Sequence, residues 1–355
     1  MKSEKIEISG NGFRYQVLVG AALMAEAGEL IRERFAGSHC AIIADENCVR
    51  LFGARVRDNL VEQGFQPVTI VISPGENSKS LKAIERICDK MIATGLDRAS
   101  FILGLGGGVI GDISGFVASI FHRGIPHIQV PTTLLAMTDS AIGGKTGVNV
   151  KFGKNLIGAF HHPSLVIADV DALDSLPPQE LRQGYAEIIK HGIIWDAEML
   201  RHLRDRKTTD CAKLICRNIT IKVQIVSKDD REVSGERALL NFGHTVGHAI
   251  ERAADFEISH GDCVSLGMVA ACHVSMNRAG LSAGERDQVV ELLQKFGLPL
   301  HLPQEIPRQQ IVDALRRDKK FERGQIRFIV VPKLGRACVS REVTMEDLRE
   351  ATAQL

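Results

Sequence analysis

Hydrophobic and polar positions follow two different patterns along the chain. In the first half, short runs of β-branched and other apolar residues alternate with amphipathic helical stretches such as Ala22–Phe35 and Leu81–Thr94. This alternation predicts βαβ units, in which helices cover a mostly parallel sheet. The predicted strands are Tyr15–Gly20, Cys40–Asp45, Pro67–Ser73, Phe101–Gly106, His127–Pro131 and Leu165–Val170.

The pattern changes after a Leu-Pro-Pro segment at residues 176–178. From there to about Arg317 it is typical of helices with short breaks. A short strand pair is predicted after them, at Ile326–Pro332 and Ala337–Ser340. A chain of 355 residues is long enough for two domains. We therefore predict an α/β N-terminal domain over residues 1–176 and a mainly α-helical C-terminal domain over residues 177–355.

Composition narrows the function classes. The formal net charge is +1 at pH 7, so nothing indicates a nucleic-acid surface or a polybasic membrane patch. No apolar run is long enough to cross a bilayer, and the first residues lack the apolar core of a signal peptide. The eight cysteines form no CxxC pair, so we expect reduced thiols in a cytoplasmic protein.

Histidines and a carboxylate suggest a metal site. His244 and His248 are four residues apart, so in a helix both rings would project from one face, and a turn could bring His260 back to them. Upstream, Glu187 and Lys190 have helical spacing. Two imidazoles and one carboxylate would form a three-ligand site with an open position, as in catalytic zinc centres. The alternative is ordinary hydrogen-bonded histidines, and no glutamate follows His244, which disfavours a metalloprotease.

A glycine loop suggests a nucleotide site. Strand Phe101–Gly106 leads into a G-x-G-x-x-G sequence that ends at Gly111 and is followed by Asp112. Such glycines let the backbone approach a pyrophosphate, although triple-glycine turns also occur for packing. The acidic residue expected about 20 residues later is missing. If a dinucleotide binds, Asp45 at the end of the second predicted strand would contact the ribose.

The stretch Asp139–Asn155 is rich in lysine, glycine and amide side chains and is predicted to be loop-like. Lysines on a glycine-rich backbone suit phosphate groups, whereas the alternative is a solvated surface loop. It does not match the P-loop pattern. Further basic residues occur in the helical half, at Lys190, Lys222, Arg237 and the run Arg317–Lys320.

Five segments together resemble the 3-dehydroquinate synthase family. They are, in chain order, GGGVIGDISGF, HRGIPHIQVPTTLLAMTDSAIGGKTGVN, GKNLIGAF, GYAEIIKHG and LLNFGHTVGHAIE. The resemblance covers nearly the whole chain and implies a dehydroquinate synthase-like fold with a Rossmann-like NAD-binding domain. It implies NAD and Zn²⁺, or Co²⁺, as cofactors. It also implies conversion of 3-deoxy-D-arabino-heptulosonate 7-phosphate to 3-dehydroquinate and phosphate, in the shikimate pathway of aromatic amino acid biosynthesis. That conversion comprises transient oxidation by NAD, phosphate elimination, re-reduction, ring opening and aldol closure.

The resemblance also implies roles for individual residues. The implied zinc ligands are Glu187, His244 and His260. The implied NAD contacts are Asp45, Glu76, Lys79, Gly108, Val109, Ile110, Gly111, Asp112, Thr132, Thr133, Lys145, Lys154, Leu173, Asp174 and Ser175. Residues implied around the reacting hydroxyls are Asp139, Lys190, Asn241 and His248, with His248 as the proton relay. Implied phosphate contacts are Lys145, Asn155 and Lys319 or Lys320, and implied carboxylate contacts are Lys222 and Arg237. Arg123 would reach the neighbouring active site of a homodimer.

Three departures from the family pattern are visible. The segment Glu232–Arg237 makes the spacing between Lys222 and Arg237 one residue longer than in the family. Asp262 stands where the family commonly has glutamate after the last zinc histidine, and His161-His162 replaces a pair that is often aromatic and polar. The rival readings are a sister cyclase acting on another or an aminated sugar phosphate, a metal-dependent polyol dehydrogenase, and a non-catalytic binding protein. Retention of Arg237, Asn241 and His248 favours a carboxylate-bearing substrate.

Overall fold

The structure, a computed structural model, divides into two compact units. It describes residues 3–10, 12–205, 210–229, 235–316, 321–322 and 325–355. The first unit contains Met1–Pro177 and Cys211–Val223, and the second contains Pro178–Asp210 and Gln224–Leu355. The sequence pattern does not indicate that residues 211–223 group with the first unit.

The first unit contains a seven-stranded sheet and a separate hairpin. Its strands are β1 (Glu4–Gly10), β2 (Phe13–Gly20), β3 (His39–Asp45), β4 (Gln66–Ile72), β5 (Phe101–Gly106), β6 (His127–Pro131), β7 (Lys145–Val150), β8 (Gly153–Phe160) and β9 (Leu165–Asp169). The sheet order is β1-β2-β9-β6-β5-β3-β4, and only the β1–β2 pair in it is antiparallel. Strands β5, β6 and β9 are buried throughout, as expected for parallel strands covered on both faces.

Helices follow the parallel strands in the first unit. They are α1 (Ala27–Arg32), α2 (Glu46–Cys48), α3 (Ala54–Glu62), α4 (Leu81–Ala93) and α5 (Gly108–Ile120). Helix α4 begins at Leu81 because the Ser80 hydroxyl accepts a hydrogen bond from the Ala83 amide at 3.3 Å. Its buried face carries Ile84, Ile87 and Met91, whose three- and four-residue spacing matches one side of a helix.

The second unit is mainly helical. The remaining helices are α6 (Pro178–Trp195), α7 (Ala197–Asp205), α8 (Cys211–Val226), α9 (His244–Ala253), α10 (His260–Ala279), α11 (Ala283–Lys295), α12 (Arg308–Arg316) and α13 (Met345–Ala353), with most of α8 in the first unit. The strands are β10 (Phe321–Glu322), β11 (Gln325–Ile326), β12 (Phe328–Lys333) and β13 (Arg336–Ser340). Helix α10 is central, since α6, α9, α11, α13 and β12 all pack against it. Within the described part of the chain, no helix has both the length and the apolar character of a membrane span.

Glycines let α9 and α10 approach each other closely. A Cβ on Gly267 would lie 1.9 Å from the carbonyl oxygen of Gly243, and one on Gly247 would lie 2.9 Å from that of Cys263. Atoms cannot approach so closely without displacing the backbone, so side chains are excluded at these crossing points. The contact therefore fixes where α10 lies relative to the histidines of α9.

The predicted fold class is confirmed, but two predictions about elements were wrong or incomplete. The stretch Asp139–Asn155 is not a loop throughout, because much of it forms the hairpin β7–β8. Its glycines and polar residues interrupt the alternation of apolar and polar positions that predicts a strand. Strand β1 was also missed, because it is an edge strand whose residues are mostly exposed and therefore carry little hydrophobic periodicity.

Candidate functional site

Three helices of the second unit bring the proposed metal ligands together. Glu187 lies on α6, His244 is the first residue of α9, and His260 is the first residue of α10. The Glu187 Oε1 atom is 3.4 Å from Nε2 of His244 and 3.4 Å from Nε2 of His260. Glu187 has no solvent exposure and forms an ion pair with Lys190, but neither of its oxygens accepts a hydrogen bond of normal geometry from a described residue.

This geometry fits a metal ion. Around a tetrahedral zinc with bonds of about 2.1 Å, neighbouring ligand atoms lie roughly 3.4 Å apart, which is too long for a good hydrogen bond. The Oε1–Nε2 separations match that value. The second nitrogen of each ring is already bonded, His244 Nδ1 to the Phe242 carbonyl at 3.1 Å and His260 Nδ1 to Glu251 Oε1 at 2.8 Å. Both Nε2 atoms are thereby directed towards Glu187.

The electrostatics of this site follow from burial and charge. Burial by itself would raise the pKa of Glu187, but the Lys190 ammonium and the His244 imidazole hold it well below its usual range. Burial, assisted by Lys190, lowers the pKa of His244. Partial burial disfavours a charged His260, yet the nearby carboxylates of Glu187 and Glu251 raise its pKa to about 10.

The other implied residues of the second unit lie on the same elements. His248 is one helical turn after His244, with its ring centroid 5.2 Å from that of His244 and 6.2 Å from that of His260. Arg237 and Asn241 bound the short 3₁₀ helix that precedes α9. Arg237 is buried, and its backbone amide donates to Asp229 at 3.2 Å.

The candidate nucleotide site lies in the first unit, where the strand order reverses. Strands β3 and β5 are neighbours, with β4 and β6 on their outer sides, and open α/β sheets bind ligands beyond such a switch point. Asp45 ends β3 and Gly106 ends β5, so the structure brings both to this point. Helix α5 begins at Gly108 without a side-chain cap. Its first amides are therefore free to bind a pyrophosphate.

The glycines of the loop are also required by packing. A Cβ at Gly106 would lie 2.5 Å from the Ile110 side chain, and one at Gly111 would lie 2.8 Å from Gln129 Oε1. The Gln129 side chain in turn donates to the Gly111 carbonyl at 3.0 Å, which ties α5 to β6. The packing and nucleotide interpretations of this loop are therefore compatible, because glycines in a dinucleotide-binding loop serve both close helix–strand packing and close approach of the backbone to the pyrophosphate.

Other implied NAD residues surround this loop. The Thr132 amide donates to the Gly106 carbonyl at 3.0 Å, and the Thr132 hydroxyl is 3.5 Å from Cys48 Sγ. The Thr133 hydroxyl accepts from the Ala136 amide at 3.1 Å. Val109 and Ile110 lie in the first turn of α5, and Leu173, Asp174 and Ser175 lie in the 3₁₀ helix Val170–Ser175 after β9.

A buried lysine joins residues for which the resemblance implies separate roles. Lys79 Nζ donates to Asp112 Oδ2 and to Asn155 Oδ1, and Lys79 is 5% exposed. Next to it, Asn149 Nδ2 donates to Glu76 Oε1 at 2.7 Å. Burial raises the pKa of Asp112, and Lys79 opposes that shift. The implied NAD residues are thus bonded to the implied phosphate residue Asn155 through Lys79.

A second ion pair connects Asp139 and Lys222. The Nζ atom of Lys222 donates to the carboxylate and to the backbone carbonyl of Asp139, at 2.6 Å each. Both residues belong to the first unit, whereas Arg237 belongs to the second. The extra residue after Lys222 falls partly on residues outside the described ranges, as do Lys319 and Lys320.

The lysines of the Asp139–Asn155 stretch do not form one cluster. Lys145 begins β7, whereas Lys154 and Asn155 lie near the opposite end of the hairpin, where Val150 pairs with Gly153. Asn149 is four residue steps along the strand from Lys145, which is about 13 Å. A single phosphate could therefore contact both Lys145 and Asn155 only if the long lysine side chain reached along the hairpin.

Sequence reasoning missed Glu251, which contacts His260. Its spacing of seven residues from His244 and three from His248 places all three on one face of α9 and could have identified it. It also missed the bonds of Lys79, because no local spacing relates that residue to Asn155.

The buried pair Glu187–Lys190 generates a stability prediction. With metal removed by a chelator, Glu187→Gln should lower the free energy of unfolding by about 3 kcal/mol, because Lys190, 2% exposed, loses its counter-charge. The double variant Glu187→Gln/Lys190→Met should lose less than the sum of the two single variants. Urea unfolding measures both. The exposed Glu198→Gln is the control, and a single variant as stable as that control would contradict the prediction.

Comparison with known proteins covers nearly the whole chain. The sequence models of the 3-dehydroquinate synthase N-terminal and C-terminal domains match residues 69–183 and 184–321. The 3-dehydroquinate synthase of Symbiobacterium thermophilum is 42% identical over 345 residues, which is 95% of this chain and 96% of that protein.

Solved structures agree on the fold. The 2-epi-5-epi-valiolone synthase of Streptomyces hygroscopicus subsp. jinggangensis, with NAD⁺ and Zn²⁺ bound, has a TM-score of 0.88 and 27% identity, with 97% of each chain covered. A probable glycerol dehydrogenase of Sinorhizobium meliloti has a TM-score of 0.65 and 16% identity, with 95% of each chain covered, and shares the fold alone. From the domain matches and the full-length relatives, the chain belongs to the 3-dehydroquinate synthase family.

Proposed function

We propose that this protein converts 3-deoxy-D-arabino-heptulosonate 7-phosphate to 3-dehydroquinate and phosphate, with NAD and one divalent metal as cofactors. The observation that carries the metal assignment is the 3.4 Å separation of the Glu187 carboxylate from two imidazole nitrogens. One oxygen and two nitrogen donors suit Zn²⁺, and Co²⁺ is the alternative. Zn²⁺ and NAD⁺ are bound in the related valiolone synthase structure, which supports both cofactors here.

The cofactors divide the chemistry with the protein. When bound, the metal supplies Lewis acidity to a substrate hydroxyl, and NAD accepts a hydride and returns it. Glu187, His244 and His260 would hold the metal in the second unit. In the first unit, the amides at the start of α5 would bind the pyrophosphate of NAD. Most other polar residues then bind and orient the substrate rather than transfer protons.

His248 is the proposed proton relay. It lies beside His244 on α9 but is not needed among the three metal donors, and an imidazole can exchange a proton near neutral pH. Residues proposed to orient the reacting hydroxyls are Asp139, Lys190 and Asn241. Residues proposed to bind the substrate phosphate are Lys145, Asn155 and Lys319.

The proposed carboxylate contacts are Lys222 and Arg237. Arg237 is buried, and the planar fork of its guanidinium suits bidentate binding of a carboxylate. Lys222 bonds to Asp139, so binding a substrate carboxylate would require it to exchange or share that partner.

The first test is turnover. Purified protein with Zn²⁺ and substoichiometric NAD should release equimolar phosphate and 3-dehydroquinate, identified by mass and NMR, without net NADH, because the hydride is returned each cycle. Net accumulation of NADH would instead favour a polyol dehydrogenase. An absence of turnover from metal-loaded protein would contradict the proposal and favour a sister cyclase. Heptulose 7-phosphates and the aminated substrate would then be assayed.

Substitution of Asp45 can distinguish its proposed contact with NAD from its contribution to local stability. Its Oδ1 accepts from the Cys48 amide at 2.9 Å, so it caps the helix that follows β3. Asn caps helices as well as Asp does. Asp45→Asn should therefore keep the thermal midpoint but weaken NAD binding about tenfold, because a charge-assisted bond to ribose is lost. Isothermal titration would measure this, with exposed Asp58→Asn on α3 as the control. Unchanged NAD affinity would refute the ribose contact.

We also propose that the protein is a homodimer. The hairpin exposes large apolar side chains, with Phe152 85% exposed and Leu156 and Phe160 45% exposed, which is typical of an interaction surface.

The turn that contains Arg123 has an unusual backbone. His122 and Arg123 have left-handed backbone angles, with φ of 47° and 69°. Non-glycine residues adopt such angles mainly where the surrounding structure imposes them, often at functional sites. His161, one residue beyond β8, contacts the Ile125 carbonyl at 2.9 Å and links the hairpin to this turn.

Hybrid dimers would test the role of Arg123. Arg123→Ala and His260→Ala should each be inactive alone. When the two are mixed and exchange subunits, about a quarter of the wild-type activity should return, because half of the dimers are mixed and each has one intact site. Light scattering would establish the dimer, and differently tagged chains would establish exchange. Exchange without any recovery would argue against a site shared between subunits.

A further inference from the structure

We propose that Glu251 is a positioning residue for the metal. Its carboxylate holds the His260 ring in the orientation and tautomer that direct Nε2 towards Glu187. The inference rests on the proposed metal site and extends it to a residue that does not itself contact the metal.

The hydrogen bond between Glu251 and His260 sets the tautomer. Glu251 Oε1 is 2.8 Å from His260 Nδ1, and the Glu251 side chain is 4% exposed. An ionised carboxylate can only accept, so Nδ1 must carry the proton and donate it. The lone pair of the metal-binding form is then on Nε2, the atom that lies 3.4 Å from Glu187. A carboxylate in this position also makes the imidazole a stronger donor to a metal.

His260 is the ligand that most needs such a tether. Its side chain is 33% exposed, against 11% for His244 and none for Glu187. It also follows the link between α9 and α10, in which Asp255 and Phe256 have left-handed φ values of 46° and 65°. His244, in contrast, is held by the backbone carbonyl of Phe242, two residues away. Packing therefore restrains His260 less than its partners, and the bond to Glu251 supplies the missing restraint.

The position of Glu251 on α9 makes this restraint direct. Glu251 is seven residues after His244, so both lie on the same face of one helix. The glycine contacts between Gly247 and Cys263 fix α9 against α10 at that level. One helix thus supplies a metal ligand and also the group that orients the ligand on the next helix.

Zinc affinity tests the proposal without relying on turnover. The dissociation constant would be measured by competition with a chromophoric chelator. Glu251→Ala should weaken Zn²⁺ binding about 10- to 100-fold, the usual cost of losing such a partner. Glu251→Gln keeps an acceptor oxygen but not the charge, so its affinity should lie between those of wild type and Glu251→Ala. Glu257→Gln makes the same chemical change on an exposed residue of the neighbouring link and should match wild type.

A double-variant cycle shows whether Glu251 acts through His260. In the His260→Ala background, the remaining Zn²⁺ affinity should change less than about twofold when Glu251→Ala is added, because the group it positions is gone. An equal loss in both backgrounds would indicate a general charge effect and overturn the proposal. Visible absorption of the Co²⁺-loaded protein should also change in Glu251→Gln, because the orientation of one ligand changes.

The possible outcomes distinguish an error in the positioning role of Glu251 from an error in the metal site itself. If wild type binds no Zn²⁺, the proposed metal site is wrong and the role of Glu251 is wrong with it. If wild type binds Zn²⁺ and both Glu251 variants bind it within about twofold of wild type, only the positioning role is refuted. Circular dichroism of the metal-free variants checks folding, and if Glu251→Ala is unfolded, the near-isosteric Glu251→Gln decides the question.

Discussion

A carboxylate without solvent contact organises the helical unit. Burying Glu187 is costly unless its charge is compensated, and compensation comes from Lys190 on the same helix and from two imidazoles on α9 and α10. Three helices must therefore meet at one point. That meeting depends on glycines at the α9–α10 crossing, because any side chain at Gly267 would collide with the backbone of Gly243. The requirements of charge burial and of helix packing thus lead to the same arrangement, which also fits a metal ion.

In the first unit, the topology of the sheet brings the candidate nucleotide-binding residues together. Asp45 and Gly106 are far apart in sequence, but they end adjacent parallel strands at the point where the strand order reverses. The uncapped start of α5 lies beside them. A single crossover pattern therefore brings together an acidic residue and a set of free amides, which is the combination that a dinucleotide requires. The late position of the glycine loop in the chain follows from the same strand order.

Polar side chains link segments that sequence motifs treat separately. Lys79 bonds to Asp112 and Asn155, and Lys222 bonds to Asp139. The same residues were assigned from the resemblance to different ligands. If these residues bind substrate or cofactor as proposed, that binding would have to replace or share their existing partners. The hairpin adds a further constraint, because it separates Lys145 from Asn155 along its length. A phosphate contact from both residues therefore requires the reach of the lysine side chain.

The sequence by itself determined the fold class, most strands, the glycine loop and the set of candidate metal ligands. These depend on local properties, namely β-branched runs, helical periodicity and residue chemistry, and on a resemblance carried by several motifs. Only the tertiary structure decided which histidines face Glu187, that Glu251 holds His260, that Lys79 joins Asn155, and that Lys145 lies in a hairpin. Those features depend on how closely helices cross and on side-chain contacts between distant segments, and no local spacing in the chain encodes either of them.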